Sequence, residues 1–255
     1  MDSPKLFDIH SHLNFSRFDE DREEVIKRMR DNGIWTVCVG VDKKTSREAI
    51  KLAEKYDEIF AAVGLHPTED LTTGFSSDEF EKLARHPKVV AIGECGLDYY
   101  RIENQPAEAE QIRQKEVFAR QIELAIKINK PLMVHCRSAH GETLEILSSY
   151  EGARGDIHFF SGAWEQARKY FDLGFSISFA GPITFADEYD EVIKKSPLDK
   201  IMAETDSPFA SPAPHRGKRG EPLFVKEVVK KIAQVRGISY EEAAEAATRN
   251  ALNFF

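Results

Sequence analysis

The chain has 255 residues, of which 42% are hydrophobic and 31% charged, and its formal net charge is −8. The hydrophobic share excludes a disordered chain, and no run approaches the ~18 apolar residues of a helical membrane span. The acidic balance excludes a protein that coats nucleic acid by bulk charge, because that affinity comes from Lys and Arg neutralising phosphates.

A phosphate ester can still be held on an acidic protein by bound cations and a local basic loop, and His215–Arg219 (HRGKR) is the densest basic stretch. The amino-terminal MDSPKLFD lacks the charged, apolar and small-residue sections of a signal peptide, so a cytoplasmic location is expected. Cys38, Cys95 and Cys136 are odd in number and lie in or just after apolar runs, which suits reduced core thiols rather than a disulfide framework.

In chain order, strands are expected at Lys5–His10, Trp35–Gly40, Ile59–Leu65, Val89–Glu94, Leu132–His135, Asp156–Phe159, Phe175–Phe179 and Lys200–Glu204. Between them, helical periodicity covers Asp19–Asp31, Thr45–Tyr56, Asp78–Arg85, Ala107–Asn129, Ala139–Tyr150, Trp164–Phe171 and Phe185–Lys195. Two more helices follow the last strand, Glu221–Arg236 and Tyr240–Asn253. Asn32-Gly33 and Asn129-Lys130-Pro131 stop helices before strands, and Ser239 caps the last helix ahead of Glu241 and Glu242. The alternation predicts an α/β protein, a (β/α)8 TIM barrel in which residues 1–255 form a single domain with an extra C-terminal helix. No Gly/Ser tract, repeat or like-charge block marks a linker.

Six metal-capable side chains stand where strands are expected to give way to loops: His10, His12, Glu94, His135, His158 and Asp206. One such residue says little. Several at the same end of successive strands imply convergence on one polar centre. In His10-x-His12 the period of two turns both imidazoles to one side, and the same alternation turns Cys95 and Cys136 away from their metal-capable neighbours. Glu94 can bridge two ions through its two oxygens, His135 and His158 can complete the second ion, and Asp206 can ligate the first. A divalent cation brings the pKa of its water from ~15.7 toward ~7, and Asp206 and Glu94 are the expected catalytic carboxylates, Asp206 as proton acceptor.

FDIHSHLNF, VGLHP, GECGLDYY, MVHCRSA, HFFSG and AETDSPFASP together resemble the successive motifs of the TatD family of metal-dependent deoxyribonucleases, within the amidohydrolase-type TIM barrels. The resemblance spans nearly the whole chain in order, through RGKRGEP and TRNALNFF. It implies a two-metal hydrolase with His10, His12, Glu94 and Asp206 at one ion and Glu94, His135 and His158 at the other. The implied ions are Mg, Mn or Zn, and the implied substrate is DNA, single-stranded or at its ends, cut as by a 3′ to 5′ exonuclease. The chain departs from the family pattern at Gly220, where Asn is frequent, and at Phe179–Gly181, which reads FAG rather than FSG.

Around the centre, His66, Arg137, Arg216 and Arg219 are the expected substrate contacts. His66 ends the third strand before Pro67, Arg137 shares a face with His135, and the two other arginines lie in the basic loop. Asp98 and Tyr99 either shape the pocket or pack above it, and Glu204 is expected to receive the second N–H of a ligating imidazole. His86 reads as a helix-terminal residue, and His140 and His215 as solvent-exposed. No membrane and no obligate protein partner are expected. The competing readings are an amidohydrolase or aminoacyl-RNA ester hydrolase on the same metals, and a metal-stabilised scaffold without turnover.

Overall fold

A computed structural model describes residues 3–69, 75–101 and 107–255; Met1 and Asp2, at the start of the stretch read for a leader, lie outside them. Eight parallel strands follow one another around a barrel: β1 (Leu6–Ser11), β2 (Ile34–Val39), β3 (Ile59–Val63), β4 (Val89–Asp98), β5 (Leu132–Arg137), β6 (Gly155–Ile157), β7 (Ser176–Phe179) and β8 (Ile201–Ala203). The ring closes just past β8, where the Asp206 N–H donates to the His10 carbonyl and the His12 N–H to the Ser207 carbonyl. Helices α1 (Arg22–Asp31), α2 (Lys43–Lys55), α3 (Ser77–Ala84), α4 (Ala107–Lys127), α5 (His140–Ser148), α6 (Trp164–Asp172), α7 (Asp190–Lys195) and α8 (Val225–Arg236) follow the strands in turn. The extra C-terminal helix is α9 (Tyr240–Phe254), started by Ser239, whose hydroxyl accepts from the Glu242 N–H. Among the described residues, no helix is long and apolar enough to cross a membrane.

Two apolar clusters divide the work of the strands. The larger packs helices on the sheet and includes Leu6, Cys38, Ile92, Cys95, Leu97, Val134, Cys136 and Ile157, together with Phe118, Ile122 and Ala125 of α4. All three cysteines are free and buried there. The smaller is built from Phe7, Ile9, Val37, Val39, Ala62, Ala91, Met133 and Met202, and is flanked by Trp35, Phe60 and Phe255. Along β5 the parity is plain: Met133 joins the inner cluster, Leu132 and Val134 the outer one, so His135 and Arg137 continue on the inner face.

In β1 and β4 the parity changes on the way to the site. Ladder register shifts between Asp8 and Ser11 and again between Ile92 and Cys95. With Phe7, Ile9 and Ala91 already facing inward, strict alternation would have sent His10 and Glu94 toward the helices. Each irregularity re-aims the residues after it, the usual effect of a β-bulge near a site. β4 also runs four residues beyond its expected end at Glu94, pairing Gly96, Leu97 and Asp98 with His135, Cys136 and Arg137. Gly96 makes this possible: its φ is +130°, and a Cβ there would stand 2.1 Å from the His135 carbonyl oxygen.

Candidate metal centre

The structure brings His10, His12, Glu94, His135, His158 and Asp206 together at the C-terminal mouth of the barrel, around the Glu94 carboxylate. Oε2 of Glu94 faces His10 Nε2 at 3.5 Å and His12 Nε2 at 3.7 Å. Asp206 Oδ1 completes that side, 3.3 Å from His12 Nε2 and 3.9 Å from His10 Nε2. Oε1 of Glu94 faces the other side, with His135 Nδ1 at 2.9 Å, His158 Nε2 at 3.0 Å and His66 Nε2 at 3.2 Å. Asp206 sits in the left-handed region with φ 51°, a conformation that Asp tolerates better than most residues.

Surrounding groups fix the imidazoles. The His12 Nδ1–H donates to the Val39 carbonyl at 3.0 Å, which leaves its Nε2 lone pair toward the carboxylates. Glu204 stands behind His158, with Oε1 3.3 Å from Nδ1, and also accepts the Phe159 N–H at 2.6 Å. His10 Nδ1 lies 3.9 Å from Glu204 and has no hydrogen-bond partner. Asp98 Oδ2 holds His135 Nε2 at 3.0 Å, while Asp98 Oδ1 accepts the N–H groups of Tyr100 and Arg101. His66 is oriented differently. Its Nδ1 accepts the Thr68 N–H, so the ring proton lies on Nε2 and points at Glu94.

These contacts make an acceptor-rich pocket that fits a divalent cation. His10 Nε2 and His12 Nε2 are 3.3 Å apart, and both face carboxylate oxygens that accept only. Bonds of about 2.0–2.2 Å from a tetrahedral cation keep its donor atoms about 3.3–3.6 Å apart, the spacing seen between these groups. Within 4.8 Å of one another stand the donors of His10, His12 and Asp206, those of His10, Glu94 and His158, and those of His66, Glu94 and His135.

Charge follows from the same geometry. Burial alone would raise the Glu94 carboxyl, yet His66, His158, His10 and His135 hold it well below the usual carboxylate range. Burial opposes protonation of His158, but Glu204 and Glu94 raise it well above an ordinary imidazole. His12 and His135 are raised against burial by Asp206 and by Asp98 respectively, whereas burial and neighbouring imidazoles lower His10. Protons on the rings therefore occupy the place that cations would take.

A cavity of about 520 Å³ opens over the centre, lined by His12, His66, Glu94, His135, Arg137 and Asp206 among others. Arg216 and Arg219 do not line it. Arg216 is exposed with its guanidinium 3.8 Å over Phe185, and Arg219 is engaged elsewhere, with two bonds to Asp21 at 2.8 and 2.6 Å and a third to the Arg17 carbonyl. His140, expected in solvent, is half-buried: Nδ1 lies 3.2 Å from Cys136 Sγ and 3.1 Å from the Tyr170 hydroxyl, and burial lowers its pKa to about 4. His215 stacks on Phe224 and His86 meets Glu54. The role of Asp98 behind His135 was not specified by sequence, because the bulge that turns it inward leaves no mark beyond the neighbouring Gly93 and Gly96. Gln121 was missed altogether; its amide brackets Leu65, bonding both N–H and C=O at 2.9 Å, and so sets the turn that delivers His66.

The model of the TatD-related DNase family matches residues 7–255. The chain belongs to this family. A relative from Bacillus subtilis, named as the uncharacterized metal-dependent hydrolase YabD, is 42% identical over 98% of each chain. A Pantoea vagans protein named 3′-5′ ssDNA/RNA exonuclease TatD is 33% identical over 98% of this chain and 99% of its own. Among solved structures, the Escherichia coli K12 TatD homologue YjjV matches with a TM-score of 0.86 and 27% identity over 98% of both chains. The TatD barrel, its membership of a metal-dependent hydrolase family and its clustered candidate ligands thus agree.

Proposed function

We propose that this TatD-family chain hydrolyses phosphodiester bonds of DNA, as a 3′ to 5′ exodeoxyribonuclease acting on single strands or ends. Two divalent cations, Mg, Mn or Zn, would be held by His10, His12, Glu94 and Asp206 on one side and by Glu94, His135 and His158 on the other. The observation that carries this reading is the division of Glu94: each oxygen faces its own set of imidazoles. Bound there, the cations supply Lewis acidity toward the phosphoryl group and an acidified water.

The protein's own groups have separable tasks. Asp206, 3.3 Å from His12 and lining the cavity, is the carboxylate placed to accept a proton from the attacking water. His66, with its proton on Nε2, is a donor at the mouth and suits a phosphate oxygen better than a cation. Arg137, on the inner face of β5 and lining the cavity, adds a guanidinium fork for a second phosphate oxygen. Arg219, spent on Asp21, has no part in this assignment.

The relative from Pantoea supports the nucleic-acid reading by its name, and Arg137 in the cavity lining supports it by charge. The test is release of mononucleotides from end-labelled single-stranded DNA by protein loaded in turn with Mg, Mn and Zn. A ladder shortening from the 3′ end is expected, and a panel of aminoacyl and lactone esters should be cleaved poorly. Hydrolysis of those esters with DNA untouched would overturn the reading.

A further inference from the structure

Three exposed aromatic rings on the loops of the mouth each lie against an arginine. Arg137 is 4.0 Å from the Tyr100 ring centroid, Arg216 is 3.8 Å from Phe185, and Arg17 is 5.2 Å from Phe209. The rings are 64%, 41% and 40% exposed. Among the described residues none of the three guanidiniums is paired with a carboxylate, unlike Arg22, Arg28, Arg30 and Arg219. Rings left in water forgo apolar burial, and cations beside them keep their charge available to a ligand.

The Phe209 pair is tied most closely to the metal centre. Phe15 stacks on the ligand candidate His12 with centroids 4.5 Å apart, and Phe209 meets Phe15 edge-on at 6.2 Å. Both rings line the cavity over the metal centre. A second cavity of about 730 Å³ shares Phe15, Val41 and Glu69 with the first and passes Arg17, Lys44 and Lys51 along α2. Lys44 and Lys51 are exposed. Asp42, in the same groove, is committed to capping α2, accepting from the Thr45 N–H at 2.6 Å. The metal mouth therefore continues over an aromatic sill into a groove of mixed charge, in which Arg22 is paired with Asp19 and Lys55 with Glu23, while Glu48 and Glu69 add acid, and Arg17, Lys44 and Lys51 have no carboxylate partner among the described residues.

We infer that the Phe15–Phe209–Arg17 sill stacks an unpaired nucleobase beside the scissile phosphate, and that the groove along α2 takes the phosphates that follow. This rests on the phosphodiester reading above and adds to it the basis of single-strand selection. A duplex keeps its bases stacked on one another and offers none to the sill. Stacking on an aromatic face with a cation alongside tolerates any base, so the site reads strandedness and not sequence. Lys44 and Lys51, exposed and unpaired among the described residues, are the cations the groove offers to those phosphates.

The experiment measures fluorescence anisotropy of labelled phosphorothioate oligothymidylate, about twelve nucleotides long to span one such site, with the metal-loaded protein. Phe209→Ala and Arg17→Ala should each weaken binding about five- to hundred-fold, the effect of losing one stacked base. An abasic strand of equal charge should bind the parent weakly and respond little to Phe209→Ala. An oligouridylate arm assigns the sugar: equal loss extends the sill to RNA, while no binding of oligouridylate restricts it to DNA. The inference is overturned if both variants bind oligothymidylate within about twofold of the parent, the spread of a bland surface change, or if the abasic strand or a duplex binds the parent equally well. Hydrolysis of the base-free diester bis(p-nitrophenyl) phosphate separates the two readings. Its absence together with inert DNA sinks the phosphodiester reading, whereas its presence with indifferent variants sinks the sill alone.

Discussion

The two ends of this barrel use its strands for opposite purposes. At the closed end, Phe7, Val37, Ala62, Met133 and Met202 form an apolar plug flanked by Trp35, Phe60 and Phe255. At the mouth, strands of the same barrel carry the buried His10 and Glu94 and the half-buried His135, all ionisable. Burial stabilises at the first end and costs at the second, because charged groups taken from water lose several kcal/mol each unless paired. The mouth is tolerable because Glu94, Asp98, Glu204 and Asp206 each meet imidazoles, and His12, His135 and His158 each meet an acid or a carbonyl. Apolar plug and polar mouth are therefore a scaffold and its load, and substitutions at either should be separable.

The largest separation is expected at Glu94. Glu94→Ala removes the oxygen pair that, alone among the described residues, faces both donor sets, so hydrolysis should fall to the assay background and bound cation, read by elemental analysis, should drop below that of the parent. Thermal unfolding should stay cooperative. At the other end, Phe7→Ala opens a cavity in the plug and should cost about 3–5 kcal/mol in denaturant unfolding while leaving the cation content of the folded protein unchanged. If Phe7→Ala emptied the metal centre while the protein remained folded, the division between scaffold and load would be wrong.

Intermediate effects belong to the groups behind the ligands. Glu204→Gln leaves His158 without its carboxylate, and Asp98→Asn does the same for His135. Each should weaken cation affinity about 10–100-fold, as loss of such a partner generally does. Isothermal titration on the two variants checks this, and affinities equal to the parent's would mean that the imidazoles are held by packing alone.

The same centre predicts a pH dependence with a definite sign. In the cation-free protein His158 is raised well above its ordinary value, and His12 and His135 are raised as well. Protons and cations compete for these rings, so cation affinity should rise with pH through the raised pKa values and fall below them. Titrations in two buffers of different ionisation heat should report net proton release on binding. Uptake, or no exchange, would contradict the charge state assigned to the mouth.

How far the sequence foretold this molecule depends on which residue is asked about. Apolar runs ending in polar residues located all eight strands, because burial on both faces leaves a near-continuous hydrophobic pattern. The convergence of six ligand candidates followed from their common position at strand ends. What it did not reveal was how β1 and β4 turn them inward: Phe7, Ile9 and Ala91 on the inner face imply an outward His10 and Glu94, and only the ladder shifts reverse that. A bulge is a property of two paired strands, so one strand's sequence carries little trace of it. The same gap hid Asp98 at the end of a longer β4, and the partner of Arg219 lies 198 residues away.

Arg219 gives the smallest and most discriminating test. Its bidentate pair with Asp21 joins the loop after β8 to the segment before α1, and each side chain is about a third exposed, 32% on both. Solvent screening limits such a pair to about 0.2–1 kcal/mol, so Arg219→Ala should lower Tm by at most about 4 °C. A double-mutant cycle with Asp21→Ala isolates the pair, since both single changes remove the same contact. DNA binding should not follow the cycle. If Arg219→Ala instead weakens binding with Asp21→Ala harmless, the guanidinium leaves its partner for phosphate, and the basic loop regains the role its composition suggested.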